Sequence, residues 1–176
     1  MSTHLSSIVP THVNYDLLDD TNLRIIDILS KDSSTAFVEI AKQLEISDAT
    51  VHIRVRRLIT EGIINRFTLS IDNNRLGYDH LAFLGINIES GFADTVINEL
   101  SRIDEVLEIH EMHGRFDLLL KIRAKNLGHM REIVETKIRK HSHLLEAELM
   151  TVLNTEKEEQ CVSLKREIME RARSAI

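Results

Sequence analysis

The sequence predicts an α+β protein of two domains, a helix-turn-helix unit followed by an antiparallel sheet that carries helices on one face. Two observations support this prediction. Apolar residues recur at helical spacing in three consecutive segments between residues 20 and 60. From residue 81 on, the segments follow the order strand-helix-strand-strand-helix-strand, which is the split βαβ or ferredoxin-like arrangement. A chain of 176 residues can hold two such domains, each with its own core.

The composition is that of an ordinary globular protein, with 43% hydrophobic and 28% charged residues. No window is apolar over the length of a membrane span, and the first residues lack the pattern of a secretory signal. The single cysteine, Cys161, excludes an intrachain disulfide and fits a reducing compartment. We therefore expect a cytoplasmic protein with no membrane partner. A net charge of -6 argues against binding nucleic acid by bulk attraction, so a polyanion would need a local basic patch.

The first domain is placed at residues 17–71, after a flexible tail of residues 1–16 that shows no periodicity. A first helix begins at Asp20, with acidic residues in its first turn and Lys31 in its last, as the helix dipole favours. A serine pair then breaks the helix, and an apolar stripe that starts at Phe37 predicts a second helix. These helices and a third should close on a small core.

The third helix begins after Ser47, whose hydroxyl can accept a hydrogen bond from the first free backbone N–H groups. Gly62 fits the left-handed position just past the end of this helix. The β-branched and aromatic residues from Ile63 to Ile71 then predict a strand. The residues at helical spacing on the inner side of the third helix are Val51, Val55 and Leu58.

The outer side of the third helix carries a mixture that is unusual for a solvated surface. Ile53 stands there among arginines. A DNA major groove offers guanine acceptors to arginine, thymine methyl groups to apolar side chains and phosphates to cations on its rim. The alternative is an amphipathic core helix that happens to be basic. The predicted DNA-contacting residues are Ser47, Ala49, Thr50, His52, Ile53, Arg54, Arg56 and Arg57. Bases are expected to meet Thr50, His52, Ile53 and Arg56, while Arg54 and Arg57 fix phosphates or the helix itself.

The second domain is placed at residues 81–156, after a polar, turn-rich linker of residues 72–80. Apolar residues occur on both faces of its strands, so the face without helices should bury against a second sheet. The simplest second sheet belongs to another copy of the chain, which gives an isologous dimer. Residues 157–176 predict an extra C-terminal amphipathic helix. The predicted strands are 81–90, 106–113, 117–124 and 147–155, and the predicted helices are 94–103 and 127–141.

Two stretches resemble one known family. Residues 46–64, ISDATVHIRVRRLITEGII, are similar to the Ser-x-x-Thr-Val-x-x-Arg pattern of the Lrp/AsnC regulators, the leucine-responsive and asparagine-responsive transcription factors also called feast/famine proteins. Residues 106–122, VLEIHEMHGRFDLLLKI, are similar to the family stretch that ends in Gly-x-aromatic-Asp followed by leucines. The resemblance covers about residues 18–156. It implies a winged helix-turn-helix domain joined to a ligand-sensing (RAM) domain.

The resemblance also implies partners. Such proteins bind near-palindromic double-stranded DNA as homodimers that assemble into tetramers, octamers or larger rings, and they take small effectors, usually amino acids. Arg115 replaces a residue that is commonly small, polar or acidic, and Leu149 stands near a position where amino-acid-binding members often carry threonine. The effector therefore differs or is absent. The effector-binding residues implied by the resemblance are His113, Gly114, Arg115, Phe116, Asp117 and Leu149.

Other chemistry is disfavoured. His110 and His113 lie three residues apart on a predicted strand and so face opposite sides. His141 and His143 have no third ligand close by, so no metal site is expected. The sequence shows no nucleophile-base pair and no phosphate-binding Gly-rich loop, so we expect neither an enzyme nor a bound cofactor. A DNA-architectural protein and an effector-independent oligomeric regulator stay open as alternatives.

Overall fold

The structure, a computed structural model, describes residues 17–174. The tail predicted at residues 1–16 and the last two residues of the predicted C-terminal helix lie outside this range. The chain divides into two compact units, of which one holds the described residues up to Ser70 together with those from Glu158 on, and the other is Ile71–Lys157. Within the described range, no helix has the length and apolar character that crossing a membrane would require.

The first unit contains the three predicted helices, α1 (Asp20–Lys31), α2 (Phe37–Leu44) and α3 (Asp48–Thr60), which are thereby confirmed. The starts of α1 and α3 are capped by side chains, since Asp19 accepts a hydrogen bond from the Asn22 N–H at 2.7 Å and Ser47 from the Thr50 N–H at 3.1 Å. The helices close on one apolar core, built mainly from Leu17, Ile25, Leu29, Ile40, Val51, Val55 and Leu58.

The prediction of a strand from Ile63 to Ile71 is wrong. Gly62 does end α3 in the left-handed region, with φ of 73°, as predicted. Beyond it, this segment pairs with no strand of the described chain, and the Ser33 hydroxyl donates a hydrogen bond to the Thr68 carbonyl at 3.2 Å. High β-propensity does not make a strand when no neighbouring backbone supplies the ladder hydrogen bonds. The apolar side chains of Phe67 and Leu69 are consequently exposed.

The second unit has the predicted element order, and all four of its strands are confirmed. They form one antiparallel sheet in the order β2-β3-β1-β4. The last strand begins three residues earlier than predicted, because Leu144 pairs with Ile88 beyond an irregularity at Asn87. The last turns of its second helix are π-helical, at Ile133–Ile138. The elements are β1 (His80–Ile88), α4 (Ala93–Leu100), β2 (Val106–Glu111), β3 (Leu118–Ala124), α5 (Leu127–Glu132, continued by the π-helical turn) and β4 (Leu144–Thr151).

The two central strands of this sheet have one covered face and one open face, as predicted. On the covered face, Leu84 and Leu120 are fully buried and share a core with Val96 of α4 and Ile133 of the second helix. On the opposite face, Phe83 is only partly buried, together with Leu119 and Lys121. Side chains alternate between faces along a strand, so this pattern follows directly from the register.

The C-terminal helix, α6 (Lys165–Ser174), begins eight residues later than predicted. Residues 157–164 are irregular. This helix belongs to the first unit and packs against α1.

Candidate nucleic-acid interface and effector site

The outer side of α3 is a free convex surface in the described chain. Its inner residues are buried as predicted, whereas Ile53 exposes 69% of its surface and Arg56 and Arg57 are exposed. Ile53 precedes these arginines by three and four residues, so all three side chains are neighbours on one face of the helix. This side of the helix therefore has the shape and chemistry of a recognition surface rather than of a core helix.

The first turn of α3 is fixed by its own side chains. The hydroxyls of Ser47 and Thr50 lie 2.7 Å apart, and Ser47 also accepts the Thr50 N–H. The ring of His52 packs edge-on against Phe37 of α2, with ring centroids 4.7 Å apart. Ala49 is exposed between them, and its small side chain lets another molecule approach the backbone closely. Four of the predicted contact residues thus form one continuous rim at the start of the helix.

Arg54 has a different position from the other arginines of α3. Its Nη1 donates to Asp19 Oδ2 at 2.6 Å and to Asn22 Oδ1 at 3.0 Å. Asn22 is the only buried polar residue of the described chain, and its Nδ2 donates to the Leu17 carbonyl at 2.7 Å. Of the two roles predicted for Arg54, the structure places it in the second, which is fixing the helix. Sequence reasoning missed Asp19 and Asn22, because their partner lies far along the chain.

The predicted effector turn lies beside the open face of the sheet. Arg115 Nη2 is 2.5 Å from Glu148 Oε2 on β4, and its guanidinium lies 5.0 Å from the centre of the Phe116 ring. The Phe116 ring covers Gly85 of β1 so closely that a Cβ there would overlap it. A cation, a carboxylate and an aromatic ring therefore meet above a glycine, an arrangement that can hold both charged groups of a small zwitterion.

Asp117 anchors this turn to β1. Its Oδ2 accepts the Ile88 N–H at 2.9 Å, and its own N–H donates to the Ile86 carbonyl at 3.0 Å. One oxygen of this carboxylate is thus already used by the protein. His113 and Gly114 are exposed at the tip of the turn, and no heavy atom outside the neighbouring residues lies within 4 Å of a Cβ built on Gly114.

Leu149 is not brought together with the other five predicted effector residues. It pairs with Leu84, whose side chain is on the covered face of the sheet, so Leu149 faces the same way. Its neighbour Glu148 pairs with Gly85 and faces the turn instead. Sequence reasoning missed Glu148 and Gly85, and the strand alternation of β4 could have identified Glu148 only once its register was known.

Three of the four histidines considered for a metal site pair with separate carboxylates. His110 Nε2 lies 3.1 Å from Glu108 Oε2, and His143 Nδ1 lies 3.0 Å from Glu89 Oε2. His141 Nδ1 lies 2.7 Å from Glu99 Oε2, so His141 and His143 pair with different carboxylates. Across residues 17–174, no three His, Cys, Asp or Glu side chains are grouped so that they could hold a metal ion.

Two family descriptions match the chain. Residues 18–65 match the winged helix-turn-helix DNA-binding domain, and residues 81–162 match the Lrp/AsnC ligand binding domain. The chain is 37% identical over 110 residues to the HTH-type transcriptional regulator FL11 of Pyrococcus furiosus, covering 62% of this chain and 73% of that protein. It is 33% identical over 122 residues to the regulatory protein AsnC of Haemophilus influenzae, covering 69% and 81% respectively.

Solved structures of related proteins share the fold. A structure of AsnC from E. coli superimposes with a TM-score of 0.77 at 26% identity, over 82% of this chain and 97% of that one. A transcriptional regulator of Neisseria meningitidis, solved in complex with L-Met, superimposes with a TM-score of 0.81 at 19% identity, over 85% of this chain and 99% of that one. At that identity the second likeness concerns the fold alone.

Proposed function

The chain belongs to the Lrp/AsnC family of DNA-binding transcriptional regulators and is not an enzyme, and from this premise we propose that it binds near-palindromic DNA as a homodimer or larger assembly through the outer side of α3. The exposure of Ile53 beside Arg56 supports this most directly. The side chain of Ile53 suits a thymine methyl group, and that of Arg56 suits the two acceptors of guanine. Arg57 is left for phosphate. Such a regulator acts in the cytoplasm, where its DNA is.

Two surfaces support the homodimer. The open face of the sheet presents Phe83, Leu119 and the exposed Met150, which a twofold-related copy of the sheet would bury. The unpaired segment with exposed Phe67 and Leu69 would gain ladder hydrogen bonds from its own symmetry mate. A twofold dimer presents two recognition helices in opposite directions, as a palindrome requires. Further contacts between dimers would give the tetramer, octamer or larger ring.

The effector we propose is an amino acid bound at the Arg115 turn. Its carboxylate would replace Glu148 on Arg115, its ammonium group would pair with Glu148, and its side chain would lie along the Phe116 ring. Because the ion pair between Arg115 and Glu148 already satisfies both charges, a ligand must exchange partners with it, and binding will be weak unless an acidic side chain adds a contact. A regulator without an effector is the alternative.

Footprinting on DNA upstream of regulated genes tests the DNA-binding proposal. We expect protection of short half-sites spaced by about one helical turn. Continuous coverage with little sequence preference would instead favour the DNA-architectural alternative. Native mass measurement of the same protein gives the size of the assembly, and a monomer at micromolar concentration would contradict the dimer.

Thermal unfolding with a panel of amino acids tests the effector proposal. We expect a rise in the melting temperature with one ligand class and its loss in Arg115→Ala. Lys125→Ala, which removes an exposed cation of the same domain at the opposite end of β3 from the turn, is the control. A flat response of the unaltered protein to the whole panel would favour effector-independent regulation.

A further inference from the structure

The helix α6 lies beyond the part of the chain that matches the family, which ends at Val162. In sequence it follows the sensing domain, yet in the fold it belongs to the DNA-binding unit. The chain therefore passes between the two units twice, once after Ser70 and again after Lys157. A tail without a role would not be expected to return to the first unit.

Apolar residues contribute to the contact between α6 and α1. Leu164 and Ile168, one helical turn apart, are partly buried, whereas Val162 exposes 80% and Met169 61% of their surfaces. On α1, Leu23 exposes only 2%, although it is not part of the core that α1, α2 and α3 share. It lies about 160° around the helix from the core residue Ile25. Since α6 also packs on α1, we assign the cover of Leu23 to Leu164 and Ile168.

We propose that α6 is a strap, a fourth helix of the DNA-binding unit that ties it to the sensing domain by a second covalent connection. A unit held by a single linker keeps more orientational freedom than one held at both ends, and that freedom is lost when two recognition helices bind one palindrome. Because the strap already restricts the orientation of the unit in the free protein, less orientational freedom is lost when DNA binds. In this arrangement α6 docks on α1 of the same chain and is held there by apolar contact.

The strap has a direct route to the recognition helix. It packs on α1, and α1 is fastened to α3 through Asp19 and Asn22, which both accept from Arg54. A displacement of α6 would therefore shift α1 and change the angle at which α3 presents its outer side. This role rests on the proposed DNA-binding function, but the docking of α6 itself does not.

The test compares two full-length variants. Leu164→Asp/Ile168→Asp places charges in the apolar contact, and Val162→Asp/Met169→Asp places the same charges at the exposed positions of the same segment. Hydrogen exchange of the α1 and α6 amides reports docking. Affinity for a specific palindrome, and for the same palindrome with altered half-site spacing, reports the strap.

In the first variant we expect faster exchange in α6 and around Leu23, about tenfold weaker binding at the native spacing, and a smaller loss at altered spacings. The second variant should behave like the unaltered protein. Unchanged exchange in α1 would overturn the docking, and faster exchange with unchanged affinity would overturn the strap. Docking of α6 on the partner's α1, seen as exchange that depends on dilution to monomers, would also overturn it. If neither the unaltered protein nor the control binds a specific palindrome, the proposed function fails, while the exchange data still decide the docking.

Discussion

The guanidinium of Arg54 and the carboxylate of Asp19 meet at 2.6 Å, although 35 residues separate them in the sequence. Asp19 has a second task, because its Oδ1 accepts the Asn22 N–H and so caps α1. Asn22 in turn accepts from Arg54 at 3.0 Å. A single network therefore fixes both the start of α1 and the angle at which α3 presents its outer side.

Arg54→Ala should lower the free energy of unfolding by about 1–2 kcal/mol, because it leaves the partly buried Asp19 carboxylate without its cation. Urea unfolding measures this, and a double-mutant cycle with Asp19→Asn, which keeps a capping oxygen, should give a coupling of roughly 1 kcal/mol. The exposed Arg57→Ala is the control and should change stability by less than about 0.5 kcal/mol. Equal stabilities of the two variants would contradict a stabilising role of Arg54 within the domain.

Gly85→Ala should destabilise the second unit by about 1–3 kcal/mol, since its Cβ would overlap the ring of Phe116. The clash is specific to that pair, so the same change should cost much less in a Phe116→Ala background. Thermal unfolding of the four proteins gives the comparison. Gly114→Ala, where the added Cβ meets open space, should be close to neutral. Additive effects of Gly85→Ala and Phe116→Ala would contradict the packing described here.

Glu105 should make the free energy of unfolding depend on pH in the acidic range. Burial raises the pKa of its carboxyl, but the hydrogen bond and charge of Lys137 at 2.6 Å, together with a backbone hydrogen bond, outweigh this and hold the pKa below its ordinary value of 4.5. A carboxyl whose pKa is depressed by folding stabilises the fold above its unfolded pKa and loses that contribution as the pH falls through the folded value. The stabilisation is therefore complete near neutral pH and is lost as the pH falls below the ordinary pKa of 4.5 and through the lower pKa of the folded state.

Glu105→Gln should accordingly cost on the order of 1 kcal/mol at pH 7, a modest figure because Lys137 is substantially exposed. The difference from the unaltered protein should shrink as the pH is lowered from 5 to 3, which chemical unfolding across that range measures. Glu135→Gln, at an exposed ion pair of 3.7 Å with Arg139, provides the matched control. A difference that stays constant with pH would mean that packing, not charge, accounts for the loss.

Features that depend on neighbouring residues were predictable from the sequence. The cap at Ser47 and the left-handed Gly62 are set within four residues of their partners, and the helix that they bound was predicted correctly. Features that depend on distant partners were not. The segment from Ile63 to Ile71 has the residues of a strand but no backbone to pair with.

The proposed effector site shows the same limit. Leu149 and Glu148 are adjacent, and one step of register on β4 decides which of them faces the turn. That register is fixed by the continuous pairing of β4 with β1, from Ala82 opposite Thr151 to Asn87 opposite Glu146, and β1 lies far from residue 149 in the sequence. The turn itself was predicted, and the partner of Arg115 on the neighbouring strand was not.

Arg56 offers the sharpest test of the proposal that α3 reads DNA. It is exposed, and its neighbour Arg54 is occupied within the domain, so Arg56 and Arg57 are the arginines of this helix left for DNA. If Arg56 contacts a guanine, Arg56→Ala should weaken binding to the specific site by about 1–3 kcal/mol while hardly affecting binding to unrelated DNA. Arg57→Ala should instead weaken binding to both and lower the salt dependence by about one unit of slope.

Fluorescence anisotropy on a specific and a scrambled duplex at several salt concentrations separates the two cases. Urea unfolding shows whether both variants keep the stability of the unaltered protein. An equal loss for Arg56→Ala on both duplexes would make it a phosphate contact and leave base reading to Ile53 and the start of the helix.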